Sequence, residues 1–279
     1  MEDLMKLGIL TLLCNDMDKD FEKKRSLGFD NCQLVCWDHS MMTDENAAQV
    51  NAAAKKHGME ITAFWCGWSG PSVWNFTEGP QTLGIVPPEY REMRIAELKH
   101  GADFATKIGV KNVITHAGFI PENPSTPEYR EVVEAIKEIA VYFKETGHNF
   151  LFETGQETPV TLLRTIETVG TGNLGINLDP ANLILYGKAN PIDALDVFGK
   201  YVMGVHAKDG CYPTCGANLG CETRIGDGKV NFPAFIKRLH EIGYDGSLSI
   251  EREIEGEQQM IDVMESVKFM NNIIGGLDA

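Results

Sequence analysis

One feature limits the available folds more than any other: a short apolar run followed by a longer stretch of helical periodicity, eight times in succession. The apolar runs predict strands at residues 6–12, 31–37, 61–66, 111–116, 148–153, 174–179, 201–206 and 246–251. The stretches between them predict helices at 16–27, 43–57, 88–108, 126–146, 158–169, 191–199, 231–242 and 257–272. Thr43 and Asp44 open one of these helices and Gly58 follows it; Gly28, Gly109 and Gly147 follow others. A capping oxygen at the start and a glycine past the end are the local chemistry of helix termini. Strands separated by helices return in the same direction, which makes a parallel sheet. Eight such units in 279 residues match a (β/α)8 TIM barrel, and the unbroken period predicts a single domain over residues 1–279. A doubly wound open sheet is the alternative. Its GxGxxG after the first strand is absent, and Gly226-Asp227-Gly228 is only a lone turn before a helix. Long loops are expected at 67–87 and 207–230.

Charge and composition exclude several function classes. The chain carries 40 acidic and 25 basic residues, a formal net charge of −15. Its mean field repels phosphate, so no nucleic-acid partner is expected. No apolar run approaches the roughly 18 residues of a membrane span, so no membrane partner is expected. The start, Met1-Glu2-Asp3, lacks the basic region and apolar stretch of a signal peptide, and the cytoplasm is the expected compartment. Seven cysteines without a secretory signal read as reduced thiols. Cys32, Leu34 and Cys36 alternate along one predicted strand and share a face. Cys211, Cys215 and Cys221 lie in a Gly/Pro-rich loop. A zinc or iron–sulfur site there would lack a fourth thiolate and the paired CxxC spacing, so these three read as free loop thiols.

Barrel enzymes place their chemistry at the C-terminal ends of strands. Four of the predicted strands end there on Glu153, Asp179, His206 and Glu251. The separations are 26, 27 and 45 residues, each near one strand–helix unit or one unit plus a long loop. Three uncompensated carboxylates meeting at one rim would repel strongly, and a divalent cation removes that repulsion. Oxygen donors with one histidine suit manganese, magnesium or cobalt, with zinc or iron also able to bind. Taken singly, each residue has a plainer reading as a helix cap or a solvated charge. The joint placement favours a metal site.

At these residues the chain resembles the xylose isomerase-like sugar isomerase/epimerase superfamily. The resemblance spans nearly the whole chain. It is carried by Phe152-Glu153-Thr154-Gly155-Gln156-Glu157-Thr158, Asn177-Leu178-Asp179-Pro180-Ala181-Asn182, Val205-His206-Ala207-Lys208-Asp209-Gly210, Arg224-Ile225-Gly226-Asp227-Gly228-Lys229-Val230-Asn231-Phe232 and Ser249-Ile250-Glu251. It implies one divalent metal, manganese first and magnesium, cobalt or zinc next, on Glu153, Asp179, His206 and Glu251. It implies that Glu153 and Glu251 are also the acid–base pair, moving a proton off and onto a ketose carbon through a metal-stabilised enediolate. Asn182 stands where the epimerases and endonucleases of this superfamily often carry a histidine, which argues against a three-metal cluster. The alternative reaction is a lyase or dehydratase, acting on an inosose or a keto-glycoside at the same site.

Further rim residues are candidate substrate contacts. His116 ends the fourth predicted strand. Gln156 and Asn182 are hydrogen bonders beside the expected ligands. Lys208 lies two residues beyond His206 and either polarises a substrate oxygen or pairs with an acid. Arg224 matches a substrate-binding arginine only loosely. Trp65, Trp68 and Trp74 crowd the third loop, where an aromatic face suits the apolar face of a sugar; Trp68 is the one assigned to substrate. The expected partner is a small sugar. Related barrels often form dimers or tetramers, so a homo-oligomer is compatible with the chain.

Overall fold

A computed structural model describes residues 5–277; the acidic start at Met1-Glu2-Asp3 lies outside the described residues. The first half of the chain comprises β1 (Lys6–Leu12), α1 (Met17–Ser26), β2 (Asn31–Cys36), α2 (Asp44–His57), β3 (Glu60–Cys66), α3 (Gly79–Thr82), α4 (Pro88–Lys107), β4 (Asn112–Thr115) and α5 (Pro127–Glu145). The second half comprises β5 (Asn149–Glu153), α6 (Pro159–Val169), β6 (Leu174–Leu178), α7 (Pro180–Leu185), α8 (Pro191–Phe198), β7 (Val202–Ala207), the short hairpin strands β8 (Asp209–Cys211) and β9 (Cys221–Thr223), α9 (Phe232–Glu241), β10 (Ser247–Ile250) and α10 (Glu257–Ile274). Eight strands close a parallel barrel in the order β1-β10-β7-β6-β5-β4-β3-β2, and β2 pairs back to β1. The fold is a single-domain TIM barrel, as the period predicts.

The strands read as buried on both faces because barrel and helices cover both. In β2 all six residues are buried, including Gln33. Helices begin where the sequence signals them. Thr43, Thr126 and Thr158 each accept a hydrogen bond from a backbone N–H in the first turn of α2, α5 and α6. Proline occupies the first helical turn of α4, α5, α6, α7 and α8, where its missing N–H costs nothing. Each helix then lays an apolar stripe on the barrel. In α9 that stripe is Phe232, Phe235, Ile236 and Leu239, all buried, worth roughly 1.5–3 kcal/mol per side chain.

Two loops shape the barrel mouth. The loop after β3 is pinned by Arg94 of α4, a fully buried guanidinium. Arg94 donates to the carbonyls of Ser69 (3.1 Å), Pro71 (2.9 Å), Thr82 (2.8 Å) and Gly84. The loop after β7, expected as one long loop over 207–230, contains the hairpin β8–β9. The buried Asp209 carboxylate anchors it by accepting from the N–H groups of Gly210, Gly226, Gly228 and Val230 at 2.8–3.1 Å. A Cβ on Gly228 would collide with that carboxylate, so the position demands glycine. The two loops meet over the barrel: Asn75 bridges Asn218, and Phe76 N–H donates to Ala217 O at 3.0 Å. Among the described residues, no helix is long and apolar enough to cross a membrane.

Candidate metal centre

The ends of β5, β6, β7 and β10 bring Glu153, Asp179, His206 and Glu251 together. Glu153 closes β5 and His206 lies within β7, while Asp179 and Glu251 each follow the last residue of their strand. Each offers one donor atom, and these four atoms lie within 4.8 Å of one another. His206 Nδ1 is 3.0 Å from Glu251 Oε2, 3.3 Å from Glu153 Oε1 and 3.9 Å from Asp179 Oδ2. Glu153, Asp179 and His206 are buried, and Glu251 is the most open of the four. Asp179 divides its carboxylate. Oδ1 caps α7 by accepting from Asn182 N–H at 2.8 Å, leaving Oδ2 turned to the cluster.

The orientation of His206 is set from behind. Its Nε2 lies 2.7 Å from Gln33 Oε1, and Gln33 Nε2 donates to Asn177 Oδ1 at 2.9 Å. Gln33 Oε1 can only accept, so His206 Nε2 donates and Nδ1 faces the carboxylates; a histidine ligand is commonly fixed in this way. Register irregularities fall at both relay residues, between Cys32 and Gln33 and between Ile176 and Asn177. Such irregularities re-aim side chains. Gly204 of β7 leaves the space in which Gln33 and Asn177 meet, because a Cβ there would strike Asn177 Oδ1.

Electrostatics agree with a site built for a cation. Burial opposes charge on His206, but Glu153, Glu251 and Asp179 outweigh it and hold the imidazole well above its usual range. Burial likewise pushes the Glu153 carboxyl up, yet His116, His206 and Lys208 hold it well below the usual carboxylate range. Asp179 Oδ2, His206 Nδ1 and Glu251 Oε2 are all buried without a hydrogen-bond partner. Orphaned polar atoms converging on one point need a partner of opposite charge. Three carboxylates and an imidazole with three orphaned donors fit a divalent ion.

A cavity of about 390 Å³ stands over the cluster, within the range of small-ligand pockets. Trp37, Trp65, Trp74 and His116 wall one side, and Leu185, Tyr186 and Leu219 the other; Glu153, Asn182, Lys208 and Glu251 reach it from below. Trp65 does more than stack: its indole N–H donates to Glu153 Oε2, leaving Oε1 for the cluster. His116 Nε2 is 3.5 Å and Asn182 Nδ2 3.3 Å from Glu153 Oε1. Lys208 Nζ is buried 3.5 Å from Glu251 Oε2, 3.7 Å from Asp179 Oδ2 and 3.0 Å from Glu253 Oε1. Burial lowers its affinity for a proton, but Glu251, Glu253 and Asp179 more than restore it.

Three residues expected near substrate stand elsewhere. Gln156 is buried behind the wall and donates to Tyr186 OH at 3.0 Å, positioning a residue that does line the cavity. Trp68 is 4% exposed and packs under the third loop, with Arg94 5.3 Å from its ring centroid. Arg224 turns outward to Asp227 (3.0 Å) and Glu265, because the turn at Gly226–Gly228 folds back onto Asp209. Sequence reading missed Gln33, Asn177, Tyr186, Glu253 and the donor role of Trp65. A glutamine inside the apolar run Asn31–Cys36 is the signal that would have marked the first. The three loop cysteines do not converge: Cys211 pairs with Cys221 across β8–β9, while Cys215 lies in the intervening loop. Among the described residues, the rim cluster is the one group of three or more potential ligands within reach of a single ion.

Known proteins share this architecture. A profile of the xylose isomerase-like TIM barrel matches residues 21–273. A xylose isomerase domain protein from Planctomyces limnophilus is 33% identical, with 99% of each chain covered and a TM-score of 0.93. The 3-keto-D-glucoside 4-epimerase of E. coli is 17% identical over 96% of this chain and 99% of its own, with a TM-score of 0.71. A probable 3-DHS dehydratase from Bacillus anthracis is 18% identical over 95% of this chain and 99% of its own, with a TM-score of 0.69. A sugar epimerase and a probable dehydratase thus occur on this fold.

Proposed function

Because the chain belongs to the xylose isomerase-like TIM barrel family, we propose that it is a divalent-metal-dependent isomerase or epimerase of a ketose or keto-sugar. The observation that carries this reading is the convergence of Glu153, Asp179, His206 and Glu251 beneath a cavity walled by tryptophans. Those four residues would hold the ion, with manganese the expected metal and magnesium, cobalt or zinc able to replace it. When bound, the ion supplies positive charge to a substrate carbonyl and a neighbouring hydroxyl, which raises the acidity of the carbon between them.

The residues of the chain do the rest. Glu153 and Glu251 approach the cavity from β5 and β10, on different sides of the barrel order. One takes the proton from carbon, and the other returns a proton to carbon or to the adjacent oxygen. Glu153 is held ionised by its cationic neighbours, the form a carboxylate ligand to a cation must have. Trp65 and Asn182 fix its carboxylate in place. The tryptophan wall excludes water and offers a flat apolar surface to a sugar ring. Lys208 is matched by acids on three sides, so a phosphate would find no uncommitted cation on the cavity wall. An unphosphorylated sugar is therefore the proposed substrate.

A second reading, a lyase or dehydratase, is favoured by one contact. Lys208 Nζ lies 3.5 Å from Glu251 Oε2 and both line the cavity, so an ammonium and a carboxyl stand together as a pair that could hand a proton to a leaving hydroxyl. A panel of ketoses and keto-sugars in heavy water, with and without added manganese, tests both readings. The isomerase or epimerase incorporates one deuterium at one carbon, keeps the sugar's composition and needs the metal. The lyase yields an unsaturated product lighter by the leaving group. Turnover indifferent to chelators overturns both.

A further inference from the structure

The cavity over the cluster does not end at its own walls. A second cavity of about 430 Å³ adjoins it and shares Leu10, Val35, Trp37, Glu251 and Glu253 with it. The extension runs outward over the end of β1, between α1 and α10. The reason lies in loop lengths. Only residues 13–16 separate β1 from α1, so the rim is low there. Two strands away on either side, the long loops after β7 and β3 rise and meet over the mouth through Asn75, Phe76, Ala217 and Asn218. A molecule with one end on the cluster thus finds its open direction across Leu10 and Trp37.

The chemistry of this second space is that of a carbohydrate site. Its floor is aliphatic, from Ile9, Ile250 and Val263, with the half-exposed Trp37 ring standing between the two spaces. Its rim mixes both signs. Lys24 pairs with Asp20 at 3.1 Å, Arg252 pairs with Glu222 and Asp262 at 3.0 and 2.8 Å, and Gln259 adds an amide. An apolar floor beneath polar, charge-balanced edges suits a neutral ring with one CH face and hydroxyls around it. It does not suit a long alkyl chain, which would strand the rim charges, or a polyanion, which would meet Glu251 and Glu253.

We propose that the substrate is a keto-sugar bearing a glycosidic substituent, with a second sugar ring seated between β1, α1 and α10. This rests on the keto-sugar reading given above and names the substrate class for it. The two spaces are of similar size, so the site is bipartite. The cluster acts on one ring, and the other ring supplies binding energy.

The test uses the full-length, manganese-loaded protein and matched pairs of sugars: fructose against maltulose and isomaltulose, and 3-keto-glucose against 3-keto-cellobiose. Tryptophan fluorescence reads binding, since Trp37 lies on the shared wall. Deuterium uptake from solvent reads turnover. The disaccharide of at least one pair is expected to bind about tenfold more tightly than its monosaccharide. Gln259→Trp on α10 and, independently, Lys23→Trp on α1 fill the second space and erase that difference. Should both members of every pair bind within about twofold of each other while exchanging deuterium equally well, the second subsite falls and the keto-sugar reading stands. Should no sugar bind or exchange, both fall.

Discussion

Among single residues, those that hold others in place are as informative as those that touch the cluster. Gln33 contacts no substrate space, yet it keeps the His206 imidazole in the tautomer that faces the carboxylates. Gln33→Leu leaves His206 Nε2–H and Asn177 without partners in a dry interior. We expect manganese affinity to fall about 10–100-fold, read by isothermal titration calorimetry, with the fold intact by circular dichroism. Glu157 supplies a second prediction. It is buried with both oxygens unpartnered, and burial pushes its carboxyl up to about 8. A carboxyl whose folded value exceeds its unfolded one binds more protons when folded, so its contribution to stability is complete below the unfolded value near 4.5 and is lost as pH rises toward 8. In that window stability should decline by up to about 1.4 kcal/mol per pH unit from this group alone. Glu157→Gln should flatten the decline and exceed the parent protein at pH 8 but not at pH 5, in urea titrations at each pH. The residues at strand ends were legible in the sequence because rim position and side-chain chemistry coincide there. Gln33 and Asn177 were not, because a buried relay depends on register between strands that are distant in the chain, and no local spacing encodes it.

For the secondary-structure elements, the strand–helix alternation was readable throughout, since burial on both strand faces and capped helix starts are local properties. What escaped prediction is short or depends on partners. The β8–β9 hairpin has three residues per strand, and it persists because Asp209 gathers four N–H groups from across its loop. The short helix α7 forms because Asp179 caps it while still facing the cluster. Arg224, expected at the substrate, was carried outward by the turn that Asp209 organises. Asp209→Asn replaces half of that acceptor with N–H donors facing N–H donors. The expected result is a loss of about 2 kcal/mol or more in urea unfolding, together with faster amide exchange over residues 224–230 and little change in the barrel strands.

The whole molecule stores three carboxylates and an imidazole at the centre of a chain of net charge −15. A cation that binds this cluster in the folded chain and not in the unfolded one adds its binding free energy to stability. Dialysis against EDTA should lower the melting temperature, and manganese at about a hundredfold excess over its Kd should restore roughly 5 °C. A melting temperature unmoved by both treatments would contradict a cation at the cluster. The low rim over β1 and the loops after β3 and β7 that meet across the mouth make the mouth asymmetric. The bridge is an arch with two feet, one planted by Arg94 and one by Asp209, joined at its crown where Asn75 and Phe76 meet Ala217 and Asn218. Neither foot can lengthen or shorten alone without opening the span. A length change in one foot is therefore expected to need a matching change in the other, whereas the short β1–α1 turn carries no such coupling.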